Sequence, residues 1–325
     1  MKNMSTPIFI AAAVLGISLA HPMSVRADAP QHHDQVPGFH RLAVGDLEVT
    51  SLYDGGGQFE PRWLNGQQRI MTAVANTAQK EPHFLDGAES GFLVNTGKQV
   101  ILVDAGAGQW WGGGALGRLE TSLRSAGYTP EQVDLVLITH LHSDHVGGLT
   151  TRDGKRVFSN AEVYVAKAEN DFWLSAEMAA KAPKEAQEFF QGAQAISAPY
   201  IKAGRWHTFS SSDEIGEGIK IVPLPGHTPG HTGYEFSSKG QRILFWGDVI
   251  HAQSVQLKHP EVSVAFDIDP AAAVATRNKL LTALVDGKVL VAGPHMAFPG
   301  AGRLRKDGNA YSWAPILFTD QWIPR

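Results

Sequence analysis

The stretch Val133–Gly148 reads VDLVLITHLHSDHVGG. Its first seven residues, Val133 to Thr139, form an almost unbroken apolar run rich in β-branched side chains. That is the pattern of a strand buried on both faces, within a sheet covered by helices. The strand then runs straight into four metal-competent side chains within six residues: His140, His142, Asp144 and His145. In extended backbone His140 and His142 point to the same side. Asp144 and His145 fall where the chain turns, so they can address a second point close by. Gly147 and Gly148 let the backbone leave tightly. A coincidence of surface histidines would produce H-x-H-x-D-H in about one chain of this composition in a thousand, so the pattern reads as a metal site.

Working outward, three further strand ends repeat the theme. Gly226-His227-Thr228-Pro229-Gly230-His231 follows IKIVPLP, Gly247-Asp248 ends QRILFW, and Gly293-Pro294-His295 ends KVLVA. Each puts a His or Asp where an apolar strand stops and a glycine-containing turn begins. Singly, each is an ordinary loop residue; with the cluster they make a set. The chain has no cysteine, which excludes disulfide scaffolds, thiolate nucleophiles and Cys-held metal. Any metal must sit on carboxylates and some of the 14 histidines.

The remaining pattern places these ends in an α/β fold. Phe39–Asp54 holds two strands with Gly45-Asp46 as their turn. Gly55–Gly57 is expected to break the second, and residues 58–88 to form a long irregular, functional loop. Strands follow in Gly91–Asp104, Ala161–Ala166, Ile219–Leu224, Thr232–Ser237, Gln241–Trp246 and Lys288–Ala292. Helices are expected near Ala115–Ala126, Glu169–Met178, Lys184–Ala193 and, with amphipathic spacing, Pro270–Val285. Blocks of strands separated by helices predict two packed sheets with helices outside, in one domain over 39–325.

Of the 325 residues, 43% are hydrophobic, ample for a large core and incompatible with a disordered chain. The net charge is −4 and the 28 Lys and Arg are scattered, so no basic stripe offers itself to nucleic acid. The N-terminus reads as an address. Lys2 precedes the 14-residue apolar stretch Pro7–Ala20, and small residues at Val25, Ala27 and Ala29 provide cleavage positions. A membrane span needs about 20 residues, so residues 1–29 read as a signal peptide and not an anchor. Residues 30–38 are expected to be a flexible lead. The mature product is expected in the periplasm or secreted.

The H-x-H-x-D-H block, the later G-H-T-P-G-H, the strand-end Asp248 and the final His295 resemble the metallo-β-lactamase superfamily in kind and order. The likeness covers nearly all of residues 39–315. More narrowly, DFWLS (Asp171–Ser175), YIKAG (Tyr200–Gly204), GHTPGHT (Gly226–Thr232) and Phe298-Pro299-Gly300 resemble the methyl parathion hydrolase and dihydrocoumarin hydrolase group. The resemblance implies a four-layer αβ/βα sandwich holding two divalent metals. By it, His140, His142 and His227 bind one metal, Asp144, His145 and His295 bind the other, and Asp248 bridges them. Zinc suits such imidazole and carboxylate ligands, with manganese, iron or cobalt as alternatives. Asp104 and His231 are implied to stand behind the ligands and orient them. The implied chemistry is attack on a carbonyl or phosphorus by a hydroxide shared between the metals, with Asp144 or Asp248 relaying the proton. The resemblance also allows a homodimer.

The expected substrate is small and hydrophobic. Phe59, Trp63, Phe172, Trp173, Phe189, Phe190 and Phe266 are the candidates for an aromatic wall. No Lys or Arg cluster lies near the motifs to grip glutathione or a nucleotide phosphate. His251, three residues after Asp248, is placed to hydrogen-bond a developing oxyanion or leaving phenolate. Dedicated organophosphate hydrolases favour an apolar residue there, so His251 and Phe266 favour a lactone or aryl ester, with phosphotriesters as a side activity. A dedicated organophosphate hydrolase is the alternative. A β-lactamase is disfavoured because zinc β-lactamases carry no carboxylate matching Asp248. A glyoxalase II-like thioesterase is disfavoured by the missing basic grip and the export signal.

Overall fold

The turn at Gly45-Asp46 joins β1 (Phe39–Val44) to β2 (Leu47–Gln58) as an antiparallel hairpin, as the alternation on either side of it predicts. A computed structural model describes residues 35–286 and 288–319; the expected signal segment 1–29 and residues 30–34 of the expected lead lie outside the described residues. The chain separates into Met1–Val36 and a unit from Pro37 onward, and all that follows concerns the second.

The first half continues with β3 (Leu64–Asn65), α1 (Gln68–Lys80), β4 (Asp86–Asn95), β5 (Val100–Val103), α2 (Leu119–Ser125), β6 (Leu135–Leu137) and α3 (Ser143–Val146). Then come β7 (Glu162–Ala166), α4 (Lys167–Trp173), α5 (Ala176–Lys181), α6 (Gln187–Lys202) and β8 (Trp206–Phe209). The second half holds β9 (Ile219–Pro223), β10 (Thr232–Ser238), β11 (Gln241–Phe245), α7 (Gln253–Gln256), β12 (Ser263–Val264) and α8 (Pro270–Leu284). It closes with β13 (Leu290–Ala292), β14 (Ala301–Asp307) and β15 (Ala310–Pro315).

One sheet runs β1-β2-β4-β5-β6-β7-β8 and the other β15-β14-β13-β11-β10-β9. Both are mixed: β5 to β8 pair in parallel, as do β11 and β13, and the other neighbours are antiparallel. Between the sheets lies an apolar layer that includes Val49, Phe92, Val94, Leu137, Tyr234, Phe236, Phe245 and Ala292. The outer face of the first sheet packs on α2, α3, α4 and α6 through residues such as Leu123, Val146, Trp173 and Ile196. The outer face of the second is covered by Leu281 and Leu284 of α8. This is a sandwich of two mixed sheets with helices outside, as the sequence predicts.

Three expectations change. Gly55–Gly57 do not end β2: they pair with Glu89, Ala88 and Gly87 of β4 across a register shift at Tyr53/Gly55. The triple glycine is a bulged continuation of the strand, not a break. Residues 58–88 are not one irregular loop either, because α1 occupies their centre. Only Ile70 and Val74 of α1 are buried, and two apolar anchors are too few to show as periodicity. Finally, α2 starts at Leu119 rather than Ala115, while α6 runs to Lys202 through Pro199, well past Ala193. Among the described residues no helix is long and apolar enough to cross a membrane.

The fold matters for chemistry because the parallel strands of both sheets finish at one place. Asp104 follows β5, His140 and His142 follow β6, Asp248 follows β11, and His295 follows β13. Side chains at such strand ends are carried by rigid backbone and meet in the crevice beyond it.

The seam between the sheets should be the stability determinant. Phe245 is buried and its ring centroid lies 5.2 Å from that of Phe92 on the opposite sheet. Phe245→Ala is expected to lower the unfolding free energy by about 3–5 kcal/mol, measured by urea denaturation of the metal-free protein.

Candidate metal centre

Burial is what turns these strand ends into a site. His140, His142, His145, His227, Asp248 and His251 are all buried, and Asp144 is partly exposed. Their polar atoms converge. His140 Nε2 and His227 Nε2 each lie 3.1 Å from His142 Nδ1. Nitrogens held on a tetrahedral zinc at 2.0–2.1 Å are about 3.4 Å apart, so this spacing is close to that of ligands sharing one cation. Asp144, His145 and His295 group separately, with Glu89 beside them.

Asp248 lies between the groups. Its Oδ2 is 3.3 Å from His227 Nε2, 3.1 Å from His295 Nε2 and 2.9 Å from His251 Nε2. Its Oδ1 is 3.2 Å from His145 Nε2, and both atoms are buried without a hydrogen-bond partner. Buried orphan donors and acceptors are costly, and a cation between them is the group whose chemistry fits. All seven residues of the sequence-derived ligand set are therefore brought together.

The residues behind them settle which imidazole nitrogen faces inward. Asp104 Oδ1 accepts from Thr139 N–H at 2.8 Å, and its Oδ2 accepts from Thr139 Oγ1–H at 2.7 Å and His145 Nδ1–H at 3.0 Å. Asp104 does this with a left-handed backbone, φ 57°, the kind of strain retained where function needs it. His227 Nδ1–H donates to Asp267 Oδ1 at 2.8 Å, and His295 Nδ1–H to Glu89 Oε2 at 2.9 Å. Each bond occupies Nδ1 as a donor and turns Nε2 toward the centre. His231 turns away: its Nδ1–H donates to the Leu224 carbonyl and its Nε2 accepts Asp248 N–H at 2.8 Å. It positions the Asp248 backbone and offers the centre no nitrogen.

The protonation pattern follows from burial and charge. Burial, then neighbouring imidazoles, holds His140 and His142 well below the ordinary histidine range. Burial does the same to His227, against the pull of Asp248. Burial also disfavours charged His145 and His295, but Asp248 with Asp144 and Asp104 in one case, and Asp248 with Glu89 in the other, outweighs it and raises both. Burial likewise opposes an ionised Asp248, yet the surrounding histidines keep it well below the usual carboxylate range. Burial pushes Glu89 up to about 7 despite His295 and His145.

Glu89 and Asp267 escaped the sequence reading. Glu89 shares the strand DGAESGFLVN with a second acid, Asp86, so nothing in the sequence set it apart. Gly147 and Gly148 are needed for a different reason than a tight exit. A Cβ there would stand 2.1 Å from the Ala107 carbonyl oxygen and 1.9 Å from that of Ala105, so the His-bearing turn presses directly on the loop after β5.

A cavity of about 430 Å³ opens over the centre. Of the expected aromatic wall, Phe59, Trp63, Phe189 and Phe266 line it. Phe172, Trp173 and Phe190 do not. Trp173 and Phe190, 1% and 3% exposed, pack together at 4.6 Å between α4 and α6, with Phe172 against Phe190. Aromatic residues on facing helix surfaces served the core there. Trp173 still backs the site, edge-on to His142 at 5.2 Å. Trp111 and Leu116, missed in the sequence, join the wall. Asp144, Asp248, His251 and Glu89 also line the cavity, and no Lys or Arg does among the described residues. His251 stacks on His295 at 5.0 Å. Its Nε2 is engaged by Asp248 and its Nδ1 is buried without a partner, so neither nitrogen is presented freely to the cavity.

Comparison with known proteins agrees with this fold. The model of the metallo-beta-lactamase superfamily matches residues 86–295. The crystal structure of the hydrolase AbOPH, in the beta lactamase superfamily, is 38% identical with a TM-score of 0.83, covering 88% of this chain and 100% of that one. AidC, a dizinc quorum-quenching lactonase solved with its product, is 28% identical with a TM-score of 0.78, at 88% and 100% coverage. A probable metallo-hydrolase of Mycobacterium tuberculosis is 29% identical over 184 residues, 49% of this chain and 56% of that protein. The chain thus spans about half the length of the curated relatives it matches.

His142 is the nitrogen nearest both partners of its triad. His142→Ala is expected to weaken zinc binding at that triad by more than about 100-fold, with an unchanged circular dichroism spectrum; elemental analysis after dialysis against buffered zinc checks it.

Proposed function

Because the chain belongs to the metallo-β-lactamase superfamily, we propose that it is a two-metal hydrolase of small, uncharged, hydrophobic lactones or aryl esters, with phosphotriesters as a side activity. The observation that carries this reading is an apolar, aromatic cavity without a cation, set directly over the histidine and aspartate cluster. The similarity to a dizinc lactonase supports it. So do the motifs shared with the methyl parathion and dihydrocoumarin hydrolases.

A divalent pair bound there, zinc by the chemistry of its ligands, supplies Lewis acidity and an acidified water. The chain's residues do the rest. Phe59, Trp63, Trp111, Phe189 and Phe266 hold a flat apolar ring and exclude water from it. Asp144, partly exposed at the cavity, is the carboxylate able to take the released proton and pass it to solvent. Asp248 is too encircled for that task and holds the geometry instead. His251 acts through Asp248: its Nε2–H fixes Oδ2 while its ring forms part of the cavity floor beside Phe266, 5.2 Å away. With no Lys or Arg in its lining among the described residues, the cavity offers an anionic group no cationic grip, which disfavours β-lactam carboxylates and glutathione thioesters. Export, read from residues 1–29, is part of the same proposal.

With zinc-loaded protein, kcat/KM for dihydrocoumarin should exceed that for methyl parathion by at least about tenfold, or 1.4 kcal/mol of transition-state discrimination, and a chelator should abolish both. A ratio well below one would mean a dedicated organophosphate hydrolase. His251→Leu should shift the ratio toward the phosphotriester, as an apolar floor replaces the imidazole held against Asp248; an unchanged ratio would remove His251 from specificity.

A further inference from the structure

Glu169, at the start of α4, is buried and lies outside the ligand set. Four donors converge on its carboxylate. Oε1 accepts Leu141 N–H at 2.9 Å and Trp173 Nε1–H at 2.7 Å. Oε2 accepts Thr228 Oγ1–H at 2.7 Å and Gly230 N–H at 2.8 Å. Leu141 stands between His140 and His142, and Thr228 directly follows His227. One oxygen thus anchors the loop after β6, and the other anchors the loop after β9. The Trp173 ring bound to the same carboxylate packs edge-on against His142.

The second glycine of G-H-T-P-G-H belongs to this arrangement. A Cβ on Gly230 would stand 2.2 Å from the backbone nitrogen of Glu169, so only glycine lets the loop reach the carboxylate.

We propose that Glu169 is a positioning residue that fixes the loop of His140 and His142 against the loop of His227, and thereby sets the metal affinity of that triad. This rests on the two-metal reading above. A glutamine has the same shape but offers an amide where one oxygen was. That amide faces two donors and cannot accept from either, so one loop loses its anchor.

The test titrates metal-free wild type, Glu169→Gln and Thr228→Val with zinc against a chromophoric chelator, with circular dichroism alongside. In Glu169→Gln the site that His142→Ala also removes should weaken by about 10- to 100-fold, the other site being unchanged. Cobalt-loaded protein should show an altered visible spectrum. Thr228→Val, which removes one donor of four, should weaken the same site by less. Two sites of wild-type affinity in Glu169→Gln would overturn the inference, even if the variant melted at a lower temperature. Should Glu169→Gln fail to fold, Thr228→Val decides: a selectively weaker site supports the inference and an unchanged one overturns it. Wild-type protein binding fewer than two zinc ions would remove the two-metal reading and the inference with it, an outcome distinct from failure of the variant alone.

Discussion

Everything around the site answers one constraint: a buried carboxylate, Asp248, faced by histidines from four separate segments. His140 and His145 come from the turn after β6, His227 from the loop after β9, His251 from Asp248's own loop, and His295 from the end of β13. Gathering so many polar groups in a dry interior is unfavourable unless each is paired or shares a cation. Rigid strands of two sheets are what can hold them at hydrogen-bonding distances. Arg277, buried on α8, contributes from beneath: it donates to the carbonyls of Val249, Pro260 and Val262, tying the loop that carries His251 to the helix.

Outward from Asp248 the same logic repeats with carboxylates. Asp104 holds His145, Asp267 holds His227, and Glu89 holds His295. Asp54 does comparable work on backbone: it accepts from the N–H groups of Ala107, Gly117 and Leu119, fixing both ends of the loop that brings Trp111 to the cavity. All four acids are buried, and donors or imidazoles are directed at each one, so they act as fixed struts rather than solvated charges. Burial pushes Asp54, Asp267 and Glu89 up, against the pull of those partners.

How far the sequence foretold this depended on distance along the chain. H-x-H-x-D-H is a local pattern, dense enough to be improbable by chance, and the apolar strands before it showed where it would sit. The sheets were readable because their strands are apolar runs that end in glycine turns. Asp267 and Glu89 were invisible because their partners lie 40 residues and more away, and an isolated acid looks like surface. The aromatic residues failed for another reason. Trp173 and Phe190 have the composition of a pocket wall and of a core alike, and only the facing of α4 on α6 separates the two. The helix α1 hid behind two apolar anchors.

The balance of charge ties the site to its proposed substrate. Asp104, Asp248, Asp267 and Glu89 are all buried around the centre, Asp144 stands at the rim, and no Lys or Arg lines the cavity among the described residues. Without metal, protons on His145 and His295 offset part of this negative charge. A pair of divalent cations held as proposed would replace those protons and supply the compensation directly. The site would then be close to neutral, with its positive charge confined to the metals and enclosed by carboxylates. Such a centre has no surplus field with which to recruit an anion, and its mouth of Phe59, Trp63, Trp111, Phe189 and Phe266 attracts what water rejects. On the proposed reading, selection falls on shape and apolar contact, while polarity is reserved for the bond that breaks.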